Sequence, residues 1–121
     1  MNCPFCSILE HDLVYETKNI IAIRDRYPVS LGHTLVITKE HLPTYFDAHH
    51  LHEELWAVVD NLKEQLEVQY RPDGFNIGIN CGKAAGQTVD HMHIHLIPRY
   101  LGDIGDPRGG VRGVIPHKQK Y

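Results

Sequence analysis

Three histidines alternate with apolar residues in His91-Met92-His93-Ile94-His95-Leu96-Ile97, a run that ends on Pro98-Arg99-Tyr100. In an extended strand successive side chains point to opposite faces, so His91, His93 and His95 share one face while Met92, Ile94 and Leu96 fill the other. Residues two apart on a strand are separated by roughly 6.5–7 Å, so the imidazoles form a row and neighbours can hold different jobs. Histidine serves as general acid or base, nucleophile and metal ligand, and such a row beside an apolar face points to phosphate chemistry or metal binding. Upstream lies the loop Asn80-Cys81-Gly82-Lys83-Ala84-Ala85-Gly86-Gln87-Thr88-Val89-Asp90. Gly82 and Gly86 allow close backbone approach to a ligand, and the Gln87 amide, the Thr88 hydroxyl and exposed N–H groups can donate to phosphate oxygens. Cys3-Pro4-Phe5-Cys6 has the spacing of half a zinc site or of a redox pair.

These groups need a frame. Val14-Tyr15-Glu16 and Ile20-Ile21-Ala22-Ile23 read as a hairpin around Lys18-Asn19, and Thr34-Leu35-Val36-Ile37-Thr38 reads as a central strand with His33 at its mouth. From Asp47, a plausible N-cap, to Tyr70, the residues Leu51, Leu55, Val58, Val59, Leu62 and Leu66 recur at helical spacing, which predicts a long amphipathic helix. His49, His50 and His52 then fall in a solvated first turn. Arg71-Pro72-Asp73-Gly74 stops the helix, and Phe75–Ile79 alternates as a strand leading into the loop and the histidine strand. The pattern predicts an α+β domain over residues 1–101, followed by a basic tail containing Gly and Pro over 102–121.

At 121 residues, one domain is the natural unit. A hydrophobic fraction of 42% and a formal charge of −3 describe an ordinary globular chain with no global attraction for nucleic acid or membrane. No apolar run approaches the ~20 residues that span a bilayer, and Met1-Asn2-Cys3-Pro4 lacks the features of a signal peptide. A cytoplasmic protein is expected, in which a structural disulfide is disfavoured.

Gly86-Gln87-Thr88-Val89-Asp90 followed by His91-Met92-His93-Ile94-His95-Leu96-Ile97 resembles the signature of the histidine triad (HIT) family. The likeness runs back through the Asn80 loop, Gly32-His33-Thr34-Leu35-Val36-Ile37 and Asp25, covering roughly residues 3 to 100, and the Pro107–Pro116 tail is similar to that of bacterial members. The resemblance implies a HIT-like antiparallel sheet of about five strands with one long and one short helix. It implies a homodimer joined through sheet edges and the long helix, and an exposed sheet edge makes pairing physically reasonable. It implies a nucleotide substrate attacked at its α-phosphorus by His93, giving a nucleotidyl-histidine that water hydrolyses. His95 and Gln87 would hold phosphate oxygens, Thr88 would help the leaving group, and His33 would support the active-site histidines. Asp25 would bind ribose hydroxyls and Asn80 would sit near the leaving group, while Phe5, Ile8 and Ile23 could wall the base. By the same resemblance Cys3, Cys6, His41 and His91 would bind a structural zinc.

The expected reaction is hydrolysis of a phosphoramidate, a dinucleoside polyphosphate or an adenylate. A nucleotidyltransferase or phosphorylase using the same intermediate is the alternative, and it needs an acceptor subsite that Arg99, Arg108 and Arg112 could line. A nucleotide-binding module without catalysis, and a hydrolase in which two triad histidines bind a catalytic ion, are the remaining readings.

Overall fold

The computed structural model describes residues 2–121. Strands β1 (Leu13–Glu16), β2 (Ile20–Arg24), β3 (Thr34–Thr38), β4 (Gly74–Gly78) and β5 (His93–Arg99) form one antiparallel sheet in the order β1-β2-β3-β5-β4. Helix α1 (His52–Tyr70) connects β3 to β4.

The alternation in the sequence separates the two faces of this sheet. Ile20, Ala22, Val36, Ile94 and Leu96 point to the face that packs against Leu55, Val58, Val59, Leu62 and Leu66 of α1. Each such fully buried leucine contributes on the order of 1.5–3 kcal/mol relative to exposure. The opposite face holds a smaller cluster of Ile21, Leu35 and Ile37, onto which Phe5, Ile8, Leu13 and Ile23 fold. Among the described residues no second layer of helix covers that side, and it carries the candidate site.

Three expectations change in detail. Asp47 does not cap the long helix. Thr44 caps a 3-10 turn, Tyr45–Asp47, with Asp47 returning its carboxylate to the Thr44 backbone, and a second turn, His49–Leu51, precedes α1. The short helix is realised only as such turns. His49 and His50 are exposed as expected, but His52 is half-buried, stacked on the Tyr45 ring at 3.8 Å and bonded to the Tyr45 carbonyl at 2.7 Å.

Pro98 does not stop its strand. β3 pairs with β5 only as far as Leu96, so Pro98 has a strand partner on one side alone, Phe75 of β4, and on the other its carbonyl accepts the Ser30 hydroxyl at 2.6 Å. The tail forms 3-10 turns at Gly110–Val114 and Pro116–Lys118. No helix among the described residues is long and apolar enough to cross a membrane.

Candidate active site

β5 pairs His93 with Ile37 and His95 with Leu35, which places both imidazoles on the face away from α1. His91 lies just before the strand and is fully buried. A neutral imidazole has one donor and one acceptor nitrogen, and here a backbone group on one nitrogen decides what the other can do.

His93 sends Nδ1 to the carbonyl of His91 at 2.8 Å. A carbonyl only accepts, so Nδ1 carries the proton and Nε2 keeps its lone pair. His33 has the opposite arrangement. The amide N–H of Val29 donates to its Nδ1 at 3.1 Å, so its proton sits on Nε2, which points to His95 Nδ1 at 3.0 Å. His95 thereby accepts at Nδ1 and presents Nε2–H as a donor. Side by side, with ring centroids 5.2 Å apart, His93 offers a lone pair and His95 a proton.

Burial pushes the pKa of His95 down to about 4, with smaller contributions from His93 and His33, and burial also lowers that of His33. Both therefore stay neutral at neutral pH, as their exchange of donor and acceptor requires.

A cavity of about 960 Å³ opens over this pair, lined among others by His33, His93, His95, Asp25, Asn80 and Thr88. Phe5, Ile8 and Ile23 line the same cavity and give it an apolar wall. One Asp25 oxygen, Oδ1, accepts the Tyr27 amide at 2.8 Å, while Oδ2 stands 3.4 Å from His33 Nε2 and accepts no hydrogen bond among the described residues, leaving it free for a hydroxyl. The buried Gln87 side chain is spent on the loop. Its amide nitrogen donates to the carbonyls of Pro43 at 2.6 Å and Val89 at 3.0 Å, and its oxygen accepts the Gly82 amide at 2.8 Å. Gln87 thus shapes the loop from behind and does not line the cavity. Gly82 and Gly86 both have left-handed φ, +91° and +88°, which is what the turn demands of them.

The second cluster is Cys3, Cys6, His41 and His91, whose ligand atoms all lie within 4.8 Å of one another. Cys3 Sγ is 3.3 Å from His91 Nδ1, and Cys6 Sγ is 3.1 Å from His41 Nδ1. His91 Nε2 meets the Thr38 carbonyl at 2.7 Å, so its proton is held there and Nδ1 turns a lone pair to the sulfurs. A hydrogen bond with Cys3, with burial adding to it, raises the Cys6 pKa, a tendency a divalent cation would reverse. Two thiols and two imidazoles fit tetrahedral zinc. Asp25, His33 and His95 also lie close enough together for an ion, but they do not fit one. Metal at His33 Nε2 would drive the ring proton to Nδ1, against the Val29 N–H already pointing there.

Arg99 and the tail arginines Arg108 and Arg112 do not build an acceptor subsite within this chain. Arg99 is held by Asp103 and Asn76, Arg108 by Asp106, and Arg112 by the Gln119 and Lys118 carbonyls, and none of them lines the cavity. Their charges are satisfied locally. The positioning groups that sequence reading missed are the Val29 amide and the Thr38 carbonyl, which are backbone and leave no side-chain signal.

The HIT domain description matches residues 8–102. This chain belongs to the HIT domain family. The adenosine 5′-monophosphoramidase of Schizosaccharomyces pombe is 37% identical to this HIT domain over 103 residues, covering 82% of this chain and 75% of the relative. A crystal structure of a HIT family protein from Bacillus anthracis superposes with a TM-score of 0.79 at 38% identity, covering 87% of this chain and 79% of that one. A zinc-bound histidine triad family protein from Mycobacterium smegmatis superposes with a TM-score of 0.66 at 39% identity, covering 84% and 77%. The open five-stranded sheet with one long helix is therefore the HIT fold, and the enzymes among its relatives support a nucleotide hydrolase.

Proposed function

We propose that this HIT protein hydrolyses a nucleoside 5′-phosphate derivative at its α-phosphate through a nucleotidyl-His93 intermediate. The carrying observation is the proton arrangement: His93 Nδ1 is tied to the His91 carbonyl, so Nε2 is an unprotonated nucleophile beside the His95 donor. The His93 Nε2 lone pair attacks phosphorus, the bond to the leaving group breaks, and the leaving group departs with that electron pair and takes up a proton. Water then attacks the same phosphorus, the P–N bond breaks, His93 regains its lone pair, and the water gives up a proton to solvent that balances the one taken up by the leaving group. His95 Nε2–H donates to a phosphoryl oxygen, and Asp25 Oδ2 accepts ribose hydroxyls. Thr88 and Asn80, at the loop side of the cavity, serve the leaving group. Gln87 acts by holding the loop that presents them.

Cys3, Cys6, His41 and His91 are assigned to a structural zinc, which fixes the N-terminal segment and takes no part in the chemistry. A homodimer, a cytoplasmic location and a division of the chain into a domain over residues 1–101 and a basic tail over 102–121 complete the reading. Hydrolysis is favoured over transfer because Arg99, Arg108 and Arg112, the residues expected to line an acceptor subsite, are bonded within the chain and away from the cavity. The test is a screen of adenosine phosphoramidates against dinucleoside polyphosphates on one preparation, with His93→Ala as control. Release of AMP from at least one class, absent in the control, supports the reading; AMP release that persists in the control removes it.

A further inference from the structure

Phe5 sits between the two cysteines of the metal cluster, yet its ring leaves that cluster and reaches the catalytic row. It meets His93 edge-on, with centroids 4.9 Å apart and planes at 75°, and it meets His91 at 6.0 Å and 81°. The same ring packs against the cluster of Ile21, Leu35 and Ile37 and forms a wall of the cavity. Its backbone is held by a single tight turn, Cys6 N–H to Cys3 carbonyl at 3.1 Å, whose two side chains are those facing His41 and His91. The position of the ring is therefore set by the cysteine turn, and the cysteine turn is set by its ligand contacts.

We infer that Phe5 is a positioning residue that couples metal occupancy of the Cys3–Cys6–His41–His91 cluster to the orientation of the His93 ring and to the shape of the nucleotide cavity. The functional consequence rests on the reading of His93 as the nucleophile. His93 has one backbone bond to fix its ring, at Nδ1, and that bond leaves rotation about the N–H···O axis open. The Phe5 ring restricts that freedom from the side, because an edge-to-face contact between aromatic rings has a preferred mutual tilt. When the metal leaves, the sulfurs lose the partner that neutralises them, the turn relaxes, and the ring withdraws from both His93 and the cavity wall. A second route exists through the chain itself, since the carbonyl that holds His93 belongs to the metal ligand His91. The two routes give different results in one experiment.

The experiment compares the full-length zinc-loaded protein and its chelator-stripped form, each as wild type and as Phe5→Ala. Two readouts are taken at fixed pH: the His93 ring proton resonances, assigned by their loss in His93→Gln, and the dissociation constant for AMP. Stripping the wild type should shift the His93 resonances and weaken AMP binding by about fivefold to tenfold, the order an aromatic pair contributes. Loaded Phe5→Ala should already show both changes at full metal content, and stripping it should add less than about twofold, as a shared route requires. If loaded Phe5→Ala matches loaded wild type, or if stripping changes Phe5→Ala as much as wild type, the coupling runs through His91 and the inference fails. Phe5→Leu covers the case in which the alanine variant or a stripped form does not fold. It keeps the bulk without the aromatic edge, so kcat should fall about fivefold with KM held; an unchanged kcat overturns the orienting role. The resonance readout needs no nucleotide, so it judges Phe5 even if the proposed reaction proves wrong.

Discussion

Two clusters of histidine meet at the segment His91–His95, and they differ in what is bound to the far nitrogen of each ring. At His91 the Thr38 carbonyl holds the Nε2 proton and exposes Nδ1 to two thiols, which makes a closed ligand set. At His93 the His91 carbonyl holds the Nδ1 proton and exposes the Nε2 lone pair to a cavity, the arrangement on which the proposed nucleophile rests. At His33 an amide replaces the carbonyl, and the ring becomes a donor that turns His95 into one as well. Residue type is constant across the row; the backbone partner assigns the role. A three-histidine row is thus read correctly only when the group behind each ring is known.

The largest expected effect tests the catalytic cluster. His93→Ala should lower kcat by at least about a thousandfold with Tm and AMP affinity little changed, because no other residue is proposed to bond to phosphorus. Steady-state kinetics decide it, and a variant retaining a tenth of wild-type kcat would end the comparison. His95→Ala should cost about a hundredfold, the order seen when one donor to a developing oxyanion is lost, again measured by kcat.

The metal cluster should respond in the other currency. Cys3→Ser and His41→Ala should lower Tm and metal content, since a missing ligand weakens a site whose binding stabilises the folded state. Their kcat, measured below the lowered Tm, should fall by no more than the about tenfold that Phe5 conveys. Equal catalytic loss at unchanged Tm would merge the two clusters into one. His91→Ala should damage both properties, because it removes a ligand and unsettles the carbonyl that holds His93.

How much of this was legible in the chain follows the same division. Alternation alone separates Met92, Ile94 and Leu96 from the histidines, because a strand packed on a helix cannot place both sets on the same side. The start of the long helix was harder to see, since the Thr44 and Asp47 pair satisfies the backbone of a 3-10 turn and carries the same residue types as a helix cap. Gln87 has the chemistry of a phosphate ligand, and only the folded loop shows its amide already spent on Pro43 and Val89. The Val29 amide, which decides the His33 tautomer, has no counterpart in residue identity at all.

Smaller effects sharpen the frame around the clusters. Gly32 precedes His33 with φ +90°, and a Cβ there would lie 2.9 Å from the Tyr70 ring. Gly32→Ala should therefore cost about 1–3 kcal/mol in chemical denaturation and loosen the mouth of β3. The pH dependence of stability is a gentler probe. His95 titrates near 4 in the folded chain, against about 6.5 for a free imidazole. Between those values the unfolded state binds more protons, so this contribution is complete above pH 6.5 and is lost as pH falls toward 4. The burial that lowers His33 and His91 acts with the same sign. Denaturation midpoints across that range should fall with pH, less steeply in His95→Gln than in wild type; an identical slope would place the titration elsewhere.

In the proposed reaction His93, and not water, attacks phosphorus first. The most direct test is the stereochemistry of hydrolysis at an α-phosphorus made chiral with oxygen isotopes. Two successive in-line displacements, one by His93 and one by water, predict net retention of configuration, whereas net inversion would mean a single direct attack by water and would contradict the account.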